Sequence, residues 1–372
     1  MRLDIAYRLH FQYERPVSES QNEIRARPRD DARQQVMSYR LTTTPATRVL
    51  QTRDYFGTTV DHLGVRAPHD ELLVVAEASV ETTPIEATPG PVSCERLSDQ
   101  HFVNTQIEYL VPSRHVQWGD LIDEVASWAV RSAADDIGEH VLAVVRAVPT
   151  VLAYERGSTS IGVTLEELVD GGRGVCQDFA HLAVGMLRCV GIPARYVSGY
   201  LFALDETQLP ETDPDGASDG SDMHPGDGSG DGNSFGTDPL DIRRRADVDM
   251  FGAEAAGAAP RAVSVQTHAW IEAAVPGFGW YALDPTNGGT VGERHVVIGH
   301  GRDYNDVPPV RGVFNGAAEA KVDAEVIIAQ PTAPSSMVTE PIRRQTRVAV
   351  SSAAGVAQPS AHPGDPQQQQ QQ

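Results

Sequence analysis

Polar and apolar residues alternate along the first part of the chain. LDIAYRLHFQY (residues 3–13) and DELLVVAEASVET (70–82) have the period-two pattern and the β-branched and aromatic content of strands. RDYFGTTVDHLG (53–64) sets turn residues between apolar ones. Proline and glycine then punctuate the chain from Pro84 to Pro91, so a small β-rich domain is expected over residues 1–92. From about residue 118 to 147 the period becomes helical. DLIDEVASWAVRSA places Leu121, Val125, Trp128 and Ala129 on one face, IGEHVLAVVRAV follows, and Pro149 is expected to end the run. Thr164 and Glu167 form a capping box that starts a short helix, LEELV. A longer helix opens at Cys176. Its Phe179, Leu182, Ala183, Met186, Leu187 and Val190 recur at helical spacing, and Gly191 and Pro193 stop it. ARYVSGYLF, AVSVQTHAWIEAAV and, after the turn PGFG, WYALDPTNG read as strands. GRDYNDVPPVRGVFNG through AEVIIAQ is expected to close the sheet. The fold class that follows is α+β: a helix packed on an antiparallel sheet, preceded by a small β-rich domain.

Composition qualifies this picture at two places. From Asp205 to Leu240 there are ten acidic residues, no lysine or arginine, and many Gly, Ser and Pro. Such a stretch cannot bury enough apolar surface to fold alone, so residues 205–260 are expected to be a disordered acidic insertion. DPDGASDG and DGSGDGN within it lack the twelve-residue ligand pattern of a calcium loop and read as solvated loops. Beyond Pro331 the chain is rich in Pro, Ser, Ala and Gln, and residues 331–372 are expected to be a disordered tail. The second folded domain then spans residues 93–330, interrupted by the insertion.

The chain has 372 residues and a net charge of -21, with a single lysine, Lys321, among its 30 basic residues. A surface this acidic repels nucleic acid and anionic membrane, and neither is expected as a partner. One lysine makes the chain a poor amine donor for its own cross-linking. No stretch reaches the ~20 apolar residues of a membrane span, and MRLDIAYRLHFQYERP lacks the continuous apolar core of a signal peptide. Cys94, Cys176 and Cys189 are an odd set without paired spacing, which points to a reducing cytoplasm. No Cys/His cluster has zinc spacing and no GxxxxGK[ST] loop is present, so neither metal nor cofactor is expected.

Cys176 follows Gly171, Gly172 and Gly174 and opens a helix, where unpaired N–H groups and the dipole stabilise a thiolate and a neighbouring oxyanion. Position alone leaves two readings open, a nucleophile or a buried thiol of the kind Cys189 suggests within the apolar positions. A nucleophile needs a base and a group to orient it. His268 alternates with apolar residues in VQTHAWIEAAV, and Asp284 ends the next strand before Pro285. A hairpin at PGFG would bring the two together, although a core histidine and a turn aspartate fit the same pattern. His181 lies five residues after Cys176, about 140° round the helix, a poor position for the base. Gln177 follows Cys176 and is a candidate for an oxyanion site or a helix-surface residue. Trp270 and Trp280 are candidates for a substrate groove or for core packing, and Tyr154 for the face of the cleft.

GVCQDFAHL, GIPARYVSGYL, THAWIE and GWYALDPTNG, in this order, resemble the core of the bacterial transglutaminase-like superfamily, which is related to papain-type cysteine proteases. NEIRARPRD and DYFGTTVDHL resemble its β-rich N-terminal domain, and GRDYNDVPPVRGVFNG its closing segment. The resemblance covers about residues 1–204 and 261–330. It implies a papain/transglutaminase-like core, with Cys176 as nucleophile, His268 as base and Asp284 as the orienting acid. The acidic insertion departs from the pattern, and lies where it would either cover the cleft or loop out. The implied chemistry is a thioester intermediate on a peptide or protein amide. Water as the acceptor gives a peptidase or amidase, an amine gives transglutaminase-type acyl transfer, and loss of activity would leave a scaffold. Amide hydrolysis is the expected reaction. The resemblance further implies a functional link to an ATP-grasp amide ligase, and exposed edges of the β-rich domain point to self-association.

Overall fold

The structure, a computed structural model, describes residues 1–84, 88–159, 162–203, 261–265 and 267–331. The insertion and tail expected from the sequence lie outside the described residues. Five strands come first: β1 (Arg2–Ile24), β2 (Gln34–Thr44), β3 (Val49–Arg53), β4 (Thr59–Val65) and β5 (His69–Thr82). Along β1, Leu3, Ile5, Tyr7, Leu9, Phe11 and Tyr13 are all buried, the period-two face that the sequence displays. The helical region holds α1 (Gln100–Gln106), α2 (Asp120–Val130), α3 (Ile137–Val151), the short β6 (Ala153–Tyr154), α4 (Leu165–Gly171), the short β7 (Arg173–Gly174) and α5 (Cys176–Cys189). The remaining strands are β8 (Ala194–Leu201), β9 (Arg261–Val265), β10 (Thr267–Val275), β11 (Gly279–Asp284), β12 (Gly289–Thr290), β13 (His295–Gly301), β14 (Val310–Asn315) and β15 (Ala320–Gln330).

Two antiparallel sheets result. The second, ordered β12-β11-β10-β8-β13, carries His268 and Asp284. Ala269, Ile271 and Ala273 of β10 and Leu283 of β11 join residues of α2, α3 and α5 in one apolar core. The first sheet is built on β1, whose start lies between β5 and β15 and whose end lies between β4 and β14. Its core takes in Tyr200, Phe202, Val296 and Ile298 from the second sheet region, so the sheets share buried surface. Gln34 fastens them: its side-chain amide donates to Val297 O at 2.7 Å and its carbonyl accepts from Val297 N at 2.8 Å. Buried Glu272 does the same with charge, accepting from Arg33 at 3.0 Å and from Arg195 Nε at 2.6 Å.

Several elements differ from expectation. The closing stretch does close a sheet, but the first one: β14 and β15 pair with β1, not with the strands around His268. AVSVQTHAWIEAAV serves two sheets, with β9 on β15 and β10 between β8 and β11. The first sheet therefore draws on both sides of the expected boundary near residue 92. In α2 the buried positions are Ile122 and Ala126, while Trp128 is 48% exposed, so the buried face is rotated from the one expected. Pro149 lies inside α3, which runs on to Val151; its missing N–H falls in the last turn, where the helix continues without it. Cys189 is the last residue of α5 and only partly buried, not mid-helix.

Candidate active site

The nucleophile position is set by two glycines and an aspartate. Gly172 ends α4 in the left-handed region at φ 63°, which turns the chain back at once toward α5. A Cβ on Gly174 would come within 2.8 Å of the Asp178 Cβ, so only glycine fits there. Asp178, on the first turn of α5, accepts from Val175 N at 2.9 Å and from the Thr159 hydroxyl at 2.5 Å. Gly171 meets nothing at its Cβ position and is not needed by the geometry. The N–H groups of Asp178 and Phe179 bond to Val175 O. The first-turn N–H groups of Cys176 and Gln177 are left without an acceptor inside the helix. Cys176 is half-buried, its Sγ 4.0 Å from Thr267 O, and it lines the same cleft as His268, whose imidazole responds to the neighbouring thiol.

His268 and Asp284 meet as the hairpin expectation requires. β10 and β11 pair through Ile271↔Leu283 and Val275↔Gly279, and one step beyond this register the acid faces the His268 side of β10. His268 Nε2 lies 2.8 Å from Asp284 Oδ2, leaving Nδ1 for the thiol. The sequence DPTNG explains how the acid is held. Asp284 Oδ1 accepts from Thr286 N at 2.9 Å and Asn287 N at 3.2 Å, and Oδ2 accepts from Asn287 Nδ2 at 2.6 Å. Gly288 closes the turn at φ 63°.

His295 is a further partner of Asp284 that sequence reasoning missed. Its Nε2 is 3.2 Å from Asp284 Oδ2, while its Nδ1 accepts from Gly292 N at 3.2 Å. The accepting Nδ1 fixes the tautomer, so Nε2 carries the proton and donates to Asp284. This decides the one metal question the site raises. The ligand atoms of His268, Asp284 and His295 lie within 4.8 Å of one another, a possible three-ligand set. A metal on His295 Nε2 would displace its proton while Nδ1 is already occupied as an acceptor, so the residues do not fit a metal ion.

Electrostatics follow from these contacts. Burial alone would push the His268 imidazole down, but the hydrogen bonds to Asp284 and Cys176 and their charges raise it to about 9. Burial opposes ionisation of Asp284, yet its hydrogen bonds to His268, His295 and Asn287 hold it well below the usual carboxylate range. His181 is excluded as a base. Burial pushes it down to about 3, its Nε2 accepts from Tyr304 N at 3.1 Å, and its ring stacks on His115.

Cys176 and His268 open onto a cleft of about 530 Å³ that Gln177 and Tyr154 also line. Tyr154 reaches it because β6 pairs in parallel with β7, setting Tyr154 beside Gly174.

With this geometry in place, residues 3–81 match the bacterial transglutaminase-like N-terminal region and residues 123–285 the transglutaminase-like superfamily. An uncharacterized protein of Mycobacterium leprae is 31% identical over 327 residues, covering 88% of this chain and 98% of that one. The chain belongs to the bacterial transglutaminase-like superfamily. An uncharacterized protein of Mycobacterium tuberculosis is 28% identical over 353 residues, covering 87% of this chain and 91% of its own. Among solved structures, a candidate cysteine protease from Cytophaga hutchinsonii superposes with a TM-score of 0.58 at 19% identity, covering 89% of this chain and 98% of that one. It shares the fold.

In this transglutaminase-like site Trp270 is not a groove residue. It lies on the same face of β10 as His268, one pleat further along, and is fully buried there among Val197, Ala282, Val291 and Val297 and against His295. Trp280 packs under Arg195, whose guanidinium sits 3.8 Å from the ring centroid, and against Tyr109. Tyr196 and Ser198 of β8 line the cleft instead. Burial holds the Tyr196 phenol well above its ordinary range, with the Cys176 charge adding to it, so it remains a donor. Their place in ARYVSGYLF, alternating along a strand that pairs with β10 through Ser198↔Ala269, was the available signal.

Proposed function

We propose that the protein is a cysteine-dependent amide hydrolase, a peptidase or amidase working through a thioester. The observation that carries this reading is the placing of the Cys176 thiol, at a helix start, in one open cleft with His268, whose Nε2 is 2.8 Å from buried Asp284. The thiol proton passes to His268 Nδ1, and the imidazolium is held by ionised Asp284. The thiolate attacks the amide carbonyl. Its electrons move onto oxygen, where the Cys176 and Gln177 N–H groups and the Tyr196 hydroxyl are the available donors. His268 then protonates the departing amine as the C–N bond breaks, leaving a thioester. Water, deprotonated by His268, attacks that thioester and releases the acid and the restored thiol.

His295 is a positioning residue in this scheme. By donating to Asp284 at 3.2 Å, it keeps the acid ionised and oriented. Transfer to an amine uses the same triad and differs only in the acceptor. The fold neighbour described as a candidate cysteine protease favours water. The test is product partition on a peptide amide with a primary amine in excess, read by mass spectrometry. Free acid is expected; an amine adduct as the main product would overturn hydrolysis in favour of transfer. A Cys176→Ala variant with undiminished turnover would remove the catalytic reading altogether.

A further inference from the structure

The charge lining the cleft runs opposite to that of the chain. Acidic residues outnumber basic ones 51 to 30 overall, yet among the described residues no aspartate or glutamate lines the Cys176 cleft, whose lining includes Arg156. Tyr304 also borders a second hollow of about 430 Å³, lined by Arg114, His115 and Arg311 and again by no carboxylate. Three acids that touch lining residues are buried and committed to their own donors: Asp178 to Val175 N, Asp284 to the site histidines, and Asp303 to His115 N, while exposed Glu155, beside Arg156 in the chain, is paired with Arg173 at 3.0 Å. Some arginines elsewhere, Arg25, Arg33, Arg195 and Arg302 among them, are bound to carboxylates, and others, such as Arg29 and Arg188, bond to uncharged acceptors. Among the described residues Arg114, Arg156 and Arg311 are bound to no carboxylate; Arg311 donates only to Asn305, at 2.8 Å to its carbonyl. Arg156 in the cleft and Arg114 and Arg311 in the hollow that shares Tyr304 with it are thus three guanidinium groups available to an anion.

We propose that the cleft takes amides flanked by carboxylate groups, such as glutamate- or aspartate-containing peptides, with Arg156 in the groove and Arg114 and Arg311 beyond Tyr304 as the specificity-determining residues. The inference rests on the amide-hydrolase reading for the nature of the scissile bond, but its charge preference is measurable without turnover. Against a net charge of -21, a lining that is basic and free of acids among the described residues favours substrates that bring acid groups to it. Each exposed pair contributes little alone, and two or three together give a preference of roughly tenfold at low salt.

The experiment uses the full chain with Cys176→Ala and fluorescence anisotropy on four matched peptides, with glutamate, glutamine, lysine or phosphoserine flanking one amide. The glutamate peptide is expected to bind about tenfold more tightly than the glutamine peptide, with the gap shrinking as salt rises. Arg114→Gln/Arg311→Gln should cut that ratio to about twofold, and Arg156→Gln should reduce it separately. The inference is overturned if the glutamine or lysine peptide binds as well, if the ratio survives the variants, or if glutamate binding is undetectable at millimolar concentration. Tighter binding of phosphoserine than of glutamate would overturn the carboxylate assignment. Feeding the same peptides to the unmodified protein separates the two readings. Charge-selective binding without cleavage sinks the hydrolase and spares the anion site, whereas cleavage without charge preference does the reverse.

Discussion

On one face of β10, Ala269, Ile271 and Ala273 lie in the apolar core with α5; on the other, His268 meets Asp284, Trp270 fills a small apolar cluster and Glu272 meets Arg33 and Arg195. The two faces alternate residue by residue on a single strand, yet they obey different physics. The apolar face stabilises by area and packing, and loses stability in proportion to the atoms removed. The other face holds charges out of water, and each is tolerated only while its particular partners are present. A strand that does both fixes the base to the most rigid part of the core, which is where a catalytic geometry is best kept.

Substitutions along β10 should separate the faces. His268→Ala should lower turnover by about 10⁴-fold or more, since members of a triad act as a unit, and should also lower the denaturation midpoint by leaving buried Asp284 without its 2.8 Å partner; a variant retaining a tenth of the activity would break the assignment. Glu272→Ala should cost about 3–5 kcal/mol in urea unfolding by stranding Arg195 over Trp280, and leave Cys176 alkylation at its native rate in the folded protein. Ile271→Ala should cost about 2–5 kcal/mol by opening a cavity under α5, with no specific effect on the pH profile of whatever activity remains.

The pH response sharpens the same contrast. His268 is raised to about 9, so the stability it adds is fully present below the ordinary histidine range and is lost as pH rises through about 9. Asp284 is depressed, so its contribution holds above the ordinary carboxylate range and is lost only as pH falls through its own, lower value. The activity profile should have its alkaline limb near 9, and His268→Ala should remove the matching alkaline loss of stability, read from melting temperatures across pH. The smallest effect expected is one of selectivity. Iodoacetamide at neutral pH should label Cys176 before Cys94 and Cys189. Burial with Asp135 raises the Cys94 thiol, and burial pushes Cys189 up to about 12. Equal labelling of the three would count against the Cys176–His268 pair.

Local rules made much of this legible in the sequence. The Thr164–Glu167 capping box, the PGFG hairpin and the glycine-punctuated entry to α5 each depend on neighbours in the chain, and each is present. Gln177 and Tyr154 reach the cleft as their positions suggested. What failed depended on distant partners. A tryptophan in a strand does not declare which side of the sheet will be covered, so Trp270 could not be told from a groove residue. His295 was invisible because its role exists only through Asp284 and the Gly292 N–H. β14 and β15 carry ordinary strand patterns, and nothing in those patterns says that their partner is β1.

That last pairing has a consequence for how the protein comes into being. β1 leaves the ribosome well before β15, whose Ala329 lies opposite Asp4 and is synthesised some three hundred residues later. At about 5–20 residues per second, β1 waits many seconds for that neighbour. Its free edge must be shielded meanwhile by other nascent elements or by a chaperone. Cys176, His268 and Asp284 emerge before that strand does, so the catalytic groups are translated into a scaffold that is still open along β1. A chain stalled short of residue 320 would carry every reactive side chain and lack the last strand of the sheet that braces them.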